Sequence, residues 1–205
     1  PWILDGANLH VSMIGFDDGT EKTRTLDGNP VPTINPDLTA SADRGSASPL
    51  STNAALSFIG ASMHGPFPVT EDAAVAMLRS PNPDGRPNSD VVRPVMNTDE
   101  LFKSRIQRWI IDNADLTLEQ ASLYEDPHAH VVACVKPQRD SNRDRWLREN
   151  WWRPQRMRPE MRSRIGTLPC FLVTATTAKH QVFVWLAHPT LPDHKLTVFA
   201  FDSDL

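Results

Sequence analysis

The stretch KPQRDSNRDRWLRENWWRPQRMRPEMRSRI, residues 136–165, constrains how this chain can fold more than any other. It holds ten basic residues (Lys136, Arg139, Arg143, Arg145, Arg148, Arg153, Arg156, Arg158, Arg162 and Arg164) against four acids (Asp140, Asp144, Glu149 and Glu160), which leaves +6. The other 11 basic and 21 acidic residues leave −10, so the whole chain stands at −4. Such a run buries little of itself. Wound as one helix it has no apolar stripe: Arg139, Arg143 and Leu147 share one side, and Arg145, Arg148 and Trp152 the other. Pro154 and Pro159 break it into pieces. A mixed-charge run is ordinarily a solvated surface whose ions pair along it. Arginines interleaved with Trp146, Trp151 and Trp152 equally suit a polyanion, because guanidinium groups take phosphates and guanine edges while aromatic rings take bases. Composition leaves both readings open.

The rest of the chain sets the frame. Its 205 residues suit one domain or two small ones, and 40% hydrophobic content can support a core. No run of about 18 apolar residues is present, so no transmembrane helix is expected. The opening PWILDGANLH lacks a basic start and is not a signal peptide. It also lacks a methionine, which suggests a piece of a longer protein. Cys134 and Cys170 lie far apart in apolar surroundings and read as small core residues of a reducing, cytoplasmic compartment.

Taken in order, Asn8–Phe16 reads as a strand, Asp17–Thr20 as a turn, Thr23–Thr25 as a return strand, and Val31–Ile34 as a third. Residues 1–35 therefore look like a strand meander, too small to stand alone. TASADRGSASPLSTN at 39–53 is rich in small polar residues and reads as a linker. Thr70 can cap a helix over Glu71–Arg79, with Glu71 and Asp72 at its positive end and Arg79 at its negative end. Asn82–Asp90 is a tight loop. Arg108–Ile111 is a short buried strand. Thr117–Gln120 matches a capping box for a helix reaching about Tyr124, and Asp126–Pro127 opens a second helix to about Val135. Phe171–Thr176, Gln181–Leu186 and Lys195–Phe201 read as an antiparallel meander. The expected class is α+β.

Little local chemistry points to catalysis. His128, His130 and Cys134 are a weak metal candidate, because positions two apart on a helix diverge and no second pair completes a shell. No metal site is expected. No serine sits in a nucleophile elbow, and no glycine loop matches a phosphate cradle. Asp17 and Asp18 are turn carboxylates. Lys179 and His180 precede a strand, where they serve either as a simple strand entry or as ligand contacts on a sheet edge.

Several segments, in order, carry a resemblance. They are VSMIGF (11–16), LDG (26–28), FIGASMHGPF (58–67), NPDGRPNSDVVRP (82–94), RWIID (108–112), VKPQRDSNR (135–143), ENWWRPQRMRPEM (149–161), AKHQVFVW (178–185) and LPDHKLTVFAFD (191–202). In order and spacing the chain resembles the target-recognition region of MmeI-like restriction–modification enzymes. It is also similar to the TaqI-like specificity domains of adenine-N6 DNA methyltransferases. The resemblance implies that residues 1–38 are the last strands of a catalytic methyltransferase domain, 39–53 a linker, and 54–205 a DNA-recognition domain continuing past Leu205. The Asn-Pro-Pro-aromatic motif and the glycine-rich S-adenosylmethionine loop of such enzymes are missing here. The resemblance thus implies no cofactor and no activity for this segment, and S-adenosylmethionine for the parent enzyme. The implied partners are duplex DNA and the methyltransferase domain of the same protein, with no membrane.

The residues expected on DNA are Lys136, Arg139, Asn142, Arg143, Arg148, Trp151, Trp152, Arg153, Gln155, Arg156, Lys179 and His180. Most arginines would hold phosphates, while Asn142, Gln155 and Arg153 have the chemistry to read adenine or guanine edges. At least one of Trp151 and Trp152 is expected to anchor the stretch to the core. Two other classes fit the same charge: an RNA-binding module, which needs exposed aromatics on a sheet, and a protein-interaction domain that meets an acidic partner.

Overall fold

A computed structural model describes residues 2–4, 7–9, 12–41, 48, 50–102 and 108–201. Part of the expected linker and all of Asp202–Leu205 lie outside the described residues. The chain divides into two compact units, Pro1–Ser51 and Thr52–Leu205.

The first unit contains two hairpins. Strand β1 (Trp2–Leu4) pairs antiparallel with β2 (Ala7–Leu9), and β3 (Arg24–Leu26) with β4 (Asn29–Val31). Asp27 (φ 50°) and Gly28 (φ 80°) turn the second hairpin, as a two-residue loop with two positive φ angles requires. Of the expected strand Asn8–Phe16, Asn8 and Leu9 lie in β2, and His10 and Val11 lie outside the described residues. Residues 12–16 have no strand partner, and Phe16 is 94% exposed. Apolar, β-branched composition favours a strand only where a neighbour supplies the ladder.

The second unit is α+β, as expected. Its strands are β5 (Ser57–Ile59), β6 (Pro68–Val69), β7 (Val92–Met96), β8 (Arg108–Ile111), β9 (Cys170–Ala175), β10 (Phe183–Ala187), β11 (Leu191–Pro192) and β12 (Leu196–Phe199). Its helices are α1 (Glu71–Arg79), α2 (Thr98–Phe102), α3 (Leu118–Ser122), α4 (Glu125–His130), α5 (Lys136–Asp140), α6 (Arg145–Glu149) and α7 (Pro159–Ile165). A π-helical turn over Val131–Val135 joins α4 to α5.

Local signals predict several of these well. Thr70 Oγ1 accepts from Ala73 N at 3.3 Å at the start of α1. Thr117 and Gln120 make both bonds of the capping box on α3. The loop after α1 is held by amides. Asn88 Nδ2 donates to the Met77 and Ser80 carbonyls at 2.7 and 3.1 Å, and Asn82 Oδ1 accepts from Glu125 N at 3.0 Å. One end of α1 is thereby tied to the start of α4.

Two four-stranded sheets carry two cores. The first has the order β11-β7-β8-β6, with β11 parallel to β7 and the other pairs antiparallel. Its core gathers Phe67, Ile110, Ile111, Val91, Val92, Val131 and Val135. The second sheet has the order β10-β9-β12-β5, antiparallel throughout. Phe171, Val173, Leu186, Leu196 and Val198 form its core with Met161 and Ile165 of α7. The three strands expected as a meander, β9, β10 and β12, are antiparallel neighbours, but not in meander order. β12 returns beside β9, and β5, distant in sequence, closes the edge. Gly60 follows β5 where a Cβ would lie 2.2 Å from the Asp193 carbonyl oxygen, so only glycine lets these two segments approach.

Candidate nucleic-acid interface

The basic stretch folds as three short helices separated by turns, as its prolines and missing stripe require. Each helix turns one or two residues inward: Arg139 in α5, Leu147 in α6, and Met161 and Ile165 in α7. Asp144 caps α6 through Trp146 N at 2.9 Å. Arg148 Nη1 donates to the carbonyls of Asn142 (2.7 Å) and Arg143 (3.1 Å), which pins the turn between α5 and α6.

Arg139 is placed differently from the expectation of a surface cation. It is 2% exposed. Its Nη1 donates to the carbonyls of Asn150 (3.0 Å) and Arg153 (2.6 Å), and Nη2 to those of Met63 (2.8 Å) and His64 (2.9 Å). The guanidinium lies 5.0 Å from the Phe67 ring centroid. Burial pushes its pKa down to about 10, so it stays charged at neutral pH. Four carbonyl dipoles and a ring face balance a charge with no carboxylate beside it. Arg139 therefore knots residues 150–153 to residues 63–64 and cannot also hold a phosphate.

The remaining candidates separate by what they touch. Lys136 pairs with Asp140 at 2.8 Å and lies 5.7 Å from the Trp151 ring centroid. Trp151 and Trp152 both pack against the first core, edge to face at 5.9 Å, and Trp152 Nε1 donates to the Leu116 carbonyl at 3.0 Å. Half-buried Arg153 donates from Nε to the Ala114 carbonyl at 3.0 Å. Half-buried Asn142 accepts from Asp144 N at 2.9 Å. Half-buried Gln155 reaches the Met63 carbonyl through its backbone N–H at 3.4 Å, and exposed Arg156 pairs its backbone with Ser62. Arg145 pairs with Glu149 at 2.7 Å. Arg162 makes a two-toothed pair with the buried Asp112 at 2.6 and 2.9 Å, and Arg93 approaches the same carboxylate at 3.8 Å.

What stays open is smaller than the charge count suggests. Among the described residues, the side chains of Arg143, Arg156 and Arg164 are exposed and make no hydrogen bond or ion pair. Lys179 and His180 are likewise exposed and unpartnered on the turn between β9 and β10. Arg164 was not among the expected contacts. It lies on α7 three residues after the buried Met161 and next to the buried Ile165, so helical spacing does not mark it as outward.

Among the described residues, no three His, Cys, Asp or Glu converge as a metal site, and Cys134 Sγ lies 4.0 Å from His130 Nδ1. A cavity of about 380 Å³ beside the Asp112–Arg162 pair is walled by Asp90, Arg93, Tyr124 and His188. No helix among the described residues is long and apolar enough to cross a membrane.

The chain matches no protein-family profile and no curated protein. Its fold is similar to a solved structure of the Type IIL restriction-modification enzyme MmeI in complex with DNA, with a TM-score of 0.56 and 14% sequence identity. That similarity covers 85% of this chain and 23% of the MmeI chain, so this chain spans about a quarter of that enzyme's length. At this identity the likeness establishes a shared fold.

Proposed function

We propose that residues 52–205 are a DNA target-recognition domain of a restriction–modification-type adenine-N6 DNA methyltransferase, holding duplex DNA for a catalytic domain elsewhere in the protein. In this reading the strands of residues 1–38 belong to that catalytic domain. The observation that carries the proposal is the set of exposed, unpartnered side chains on the scaffold: the cations Arg143, Arg156, Arg164 and Lys179, with His180 beside the last. Carbonyls, tryptophans and the Arg139 knot hold the backbone around Arg143 and Arg156, so their guanidinium groups meet a partner at low ordering cost. A fold shared with an enzyme solved on DNA supports the same reading. The half-buried Gln155 and Asn142 are the candidates for base edges.

In this reading S-adenosylmethionine is not held by residues 52–205. The sequence has no Asn-Pro-Pro-aromatic motif. The cavity beside Asp112 has its carboxylate already held by Arg162 and is not lined by a glycine-rich turn. The cofactor and the methyl transfer are accordingly assigned to the parent's catalytic domain.

The test is a salt titration of the affinity for a labelled duplex. With four or five phosphate contacts, log affinity against log salt should have a slope of about −4, at about 0.9 per phosphate. Arg143→Ala with Arg156→Ala should flatten that slope by about two units. An unchanged slope and affinity, in a double variant that melts like the parent, would mean that these arginines are only a solvated surface.

A further inference from the structure

The outer face of the second sheet is left aromatic. The register places Trp185, Leu172 and Phe199 in one row across β10, β9 and β12, and Phe183, Thr174, Thr197 and Ile59 in the next row across to β5. The alternate residues, Val184, Val173, Val198 and Phe58, point the other way into the core under α7. A sheet with one solvated face should carry polar residues on it. Here Phe183 is 56% exposed and Trp185 42%. Phe183, Phe199 and Phe201 form a chain of rings, each 5.9 Å from the next, with Phe199 and Phe201 stacked at 11°.

The charge at one end of this face is positive. Lys179 and His180 sit on the β9–β10 turn. Lys195, two positions before Thr197, shares the face and is exposed. None of the three side chains has a partner among the described residues. The nearby carboxylate of Asp193 is held by His194 at 3.0 Å and by the Lys195 backbone N–H. Thr176 and Thr197 place their hydroxyls 3.3 Å apart at the same end. Rings in a row beside unpaired cations complement bases joined by phosphates. An apolar protein partner would need the rings but not the cations.

We propose that this face binds unpaired nucleotides of a single strand. Bases stack on Phe183, Trp185 and the Phe199–Phe201 pair, and phosphates meet Lys179 and Lys195. Single-stranded DNA and RNA present the same π-faces and phosphates, and the test below distinguishes them. This face shares Lys179 and His180 with the proposed duplex contacts but not Arg143, Arg156 or Arg164, so the arginine variants and the aromatic variants separate the failure of one reading from that of the other.

The test measures binding of the full chain to labelled dT and U 12-mers by fluorescence anisotropy. One oligomer or both should bind, and the preferred one names the source. Phe183→Ala with Trp185→Ala should weaken binding by about 10- to 100-fold, since each lost stack is a sizeable factor. Trp185→Phe should retain most of it. Lys179→Ala with Lys195→Ala should reduce the salt slope by about 1.4, at about 0.7 per phosphate of a single strand. Arg143→Ala with Arg156→Ala should leave single-strand binding as it was. The proposal is overturned if neither oligomer binds, or if the aromatic double variant binds as before. It is also overturned if the chain is a dimer that Phe183→Ala with Trp185→Ala makes monomeric, because a second copy would then cover the face.

Discussion

Replacing Arg139 with methionine keeps the aliphatic stem over Phe67 and removes the guanidinium. The carbonyls of Met63, His64, Asn150 and Arg153 then lose donors that stand at 2.6–3.0 Å. A hydrogen bond to a charged group contributes about 1.5–3 kcal/mol, and an orphaned buried carbonyl costs about 1–3 kcal/mol. These do not add, because the four share one cation, and because removing the cation also relieves its desolvation. The depressed pKa of about 10 shows that burial already opposes the charge. A net loss of about 3–5 kcal/mol follows from the orphaned carbonyls, less the relieved desolvation. That is a large part of the 5–15 kcal/mol typical of a folded domain. Urea denaturation followed by tryptophan fluorescence reads it directly, since Trp151 and Trp152 lie in the segment that would loosen. Arg139→Lys should recover part of the loss, because an ammonium has donors but no planar fork. Arg143→Met, on the same stretch but exposed, should change stability by under about 0.5 kcal/mol. A loss below about 1 kcal/mol for Arg139→Met would refute the knot, and with it the account of how residues 150–156 are held.

Other perturbations test other parts of the fold. Asp112→Asn leaves Arg162 and Arg93 facing each other without a carboxylate and should cost about 3–5 kcal/mol in a denaturant melt; a neutral result would show that the ion cluster is dispensable. Gly60→Ala drives a methyl into the Asp193 carbonyl and should cost about 1–3 kcal/mol, read as a lower Tm, with no change expected if the two segments can part freely. Burial lowers the His128 pKa below its ordinary 6.5, so the folded state prefers neutral imidazole. The stability this group permits is therefore complete above pH 6.5 and declines as pH falls through its folded pKa. His128→Gln should flatten the loss of stability between pH 7 and 5, and an equal slope in both proteins would remove His128 as the cause.

Much of the local structure was legible because its causes are local. The Thr70 cap, the Thr117–Gln120 box and the proline breaks each act within a few residues, and those elements formed where the residues indicated. The apolar run to Phe16 misled because strand composition says nothing about whether a partner strand is present. In Gln181–Leu186, apolar residues stand at nearly every position and not at alternate ones, a sign of a sheet with aromatics on both faces. Reading that run only as a strand missed the outward Phe183 and Trp185.

The α+β class, the caps and turns, and the concentration of positive charge in residues 136–165 follow from the order of residues alone. Local propensity and net charge are properties of neighbouring residues, so they need no fold to be read. Tertiary structure decided where each charge goes. Arg139 and Arg143 are four residues apart with the same side chain, yet one is enclosed by carbonyls from residues 63–64 and 150–153 and the other stands in solvent. It also decided that β12 lies beside β9 and β5 beside β12. Both outcomes depend on groups far apart in the chain, which meet only when a sheet face must be buried and a buried cation must find its acceptors.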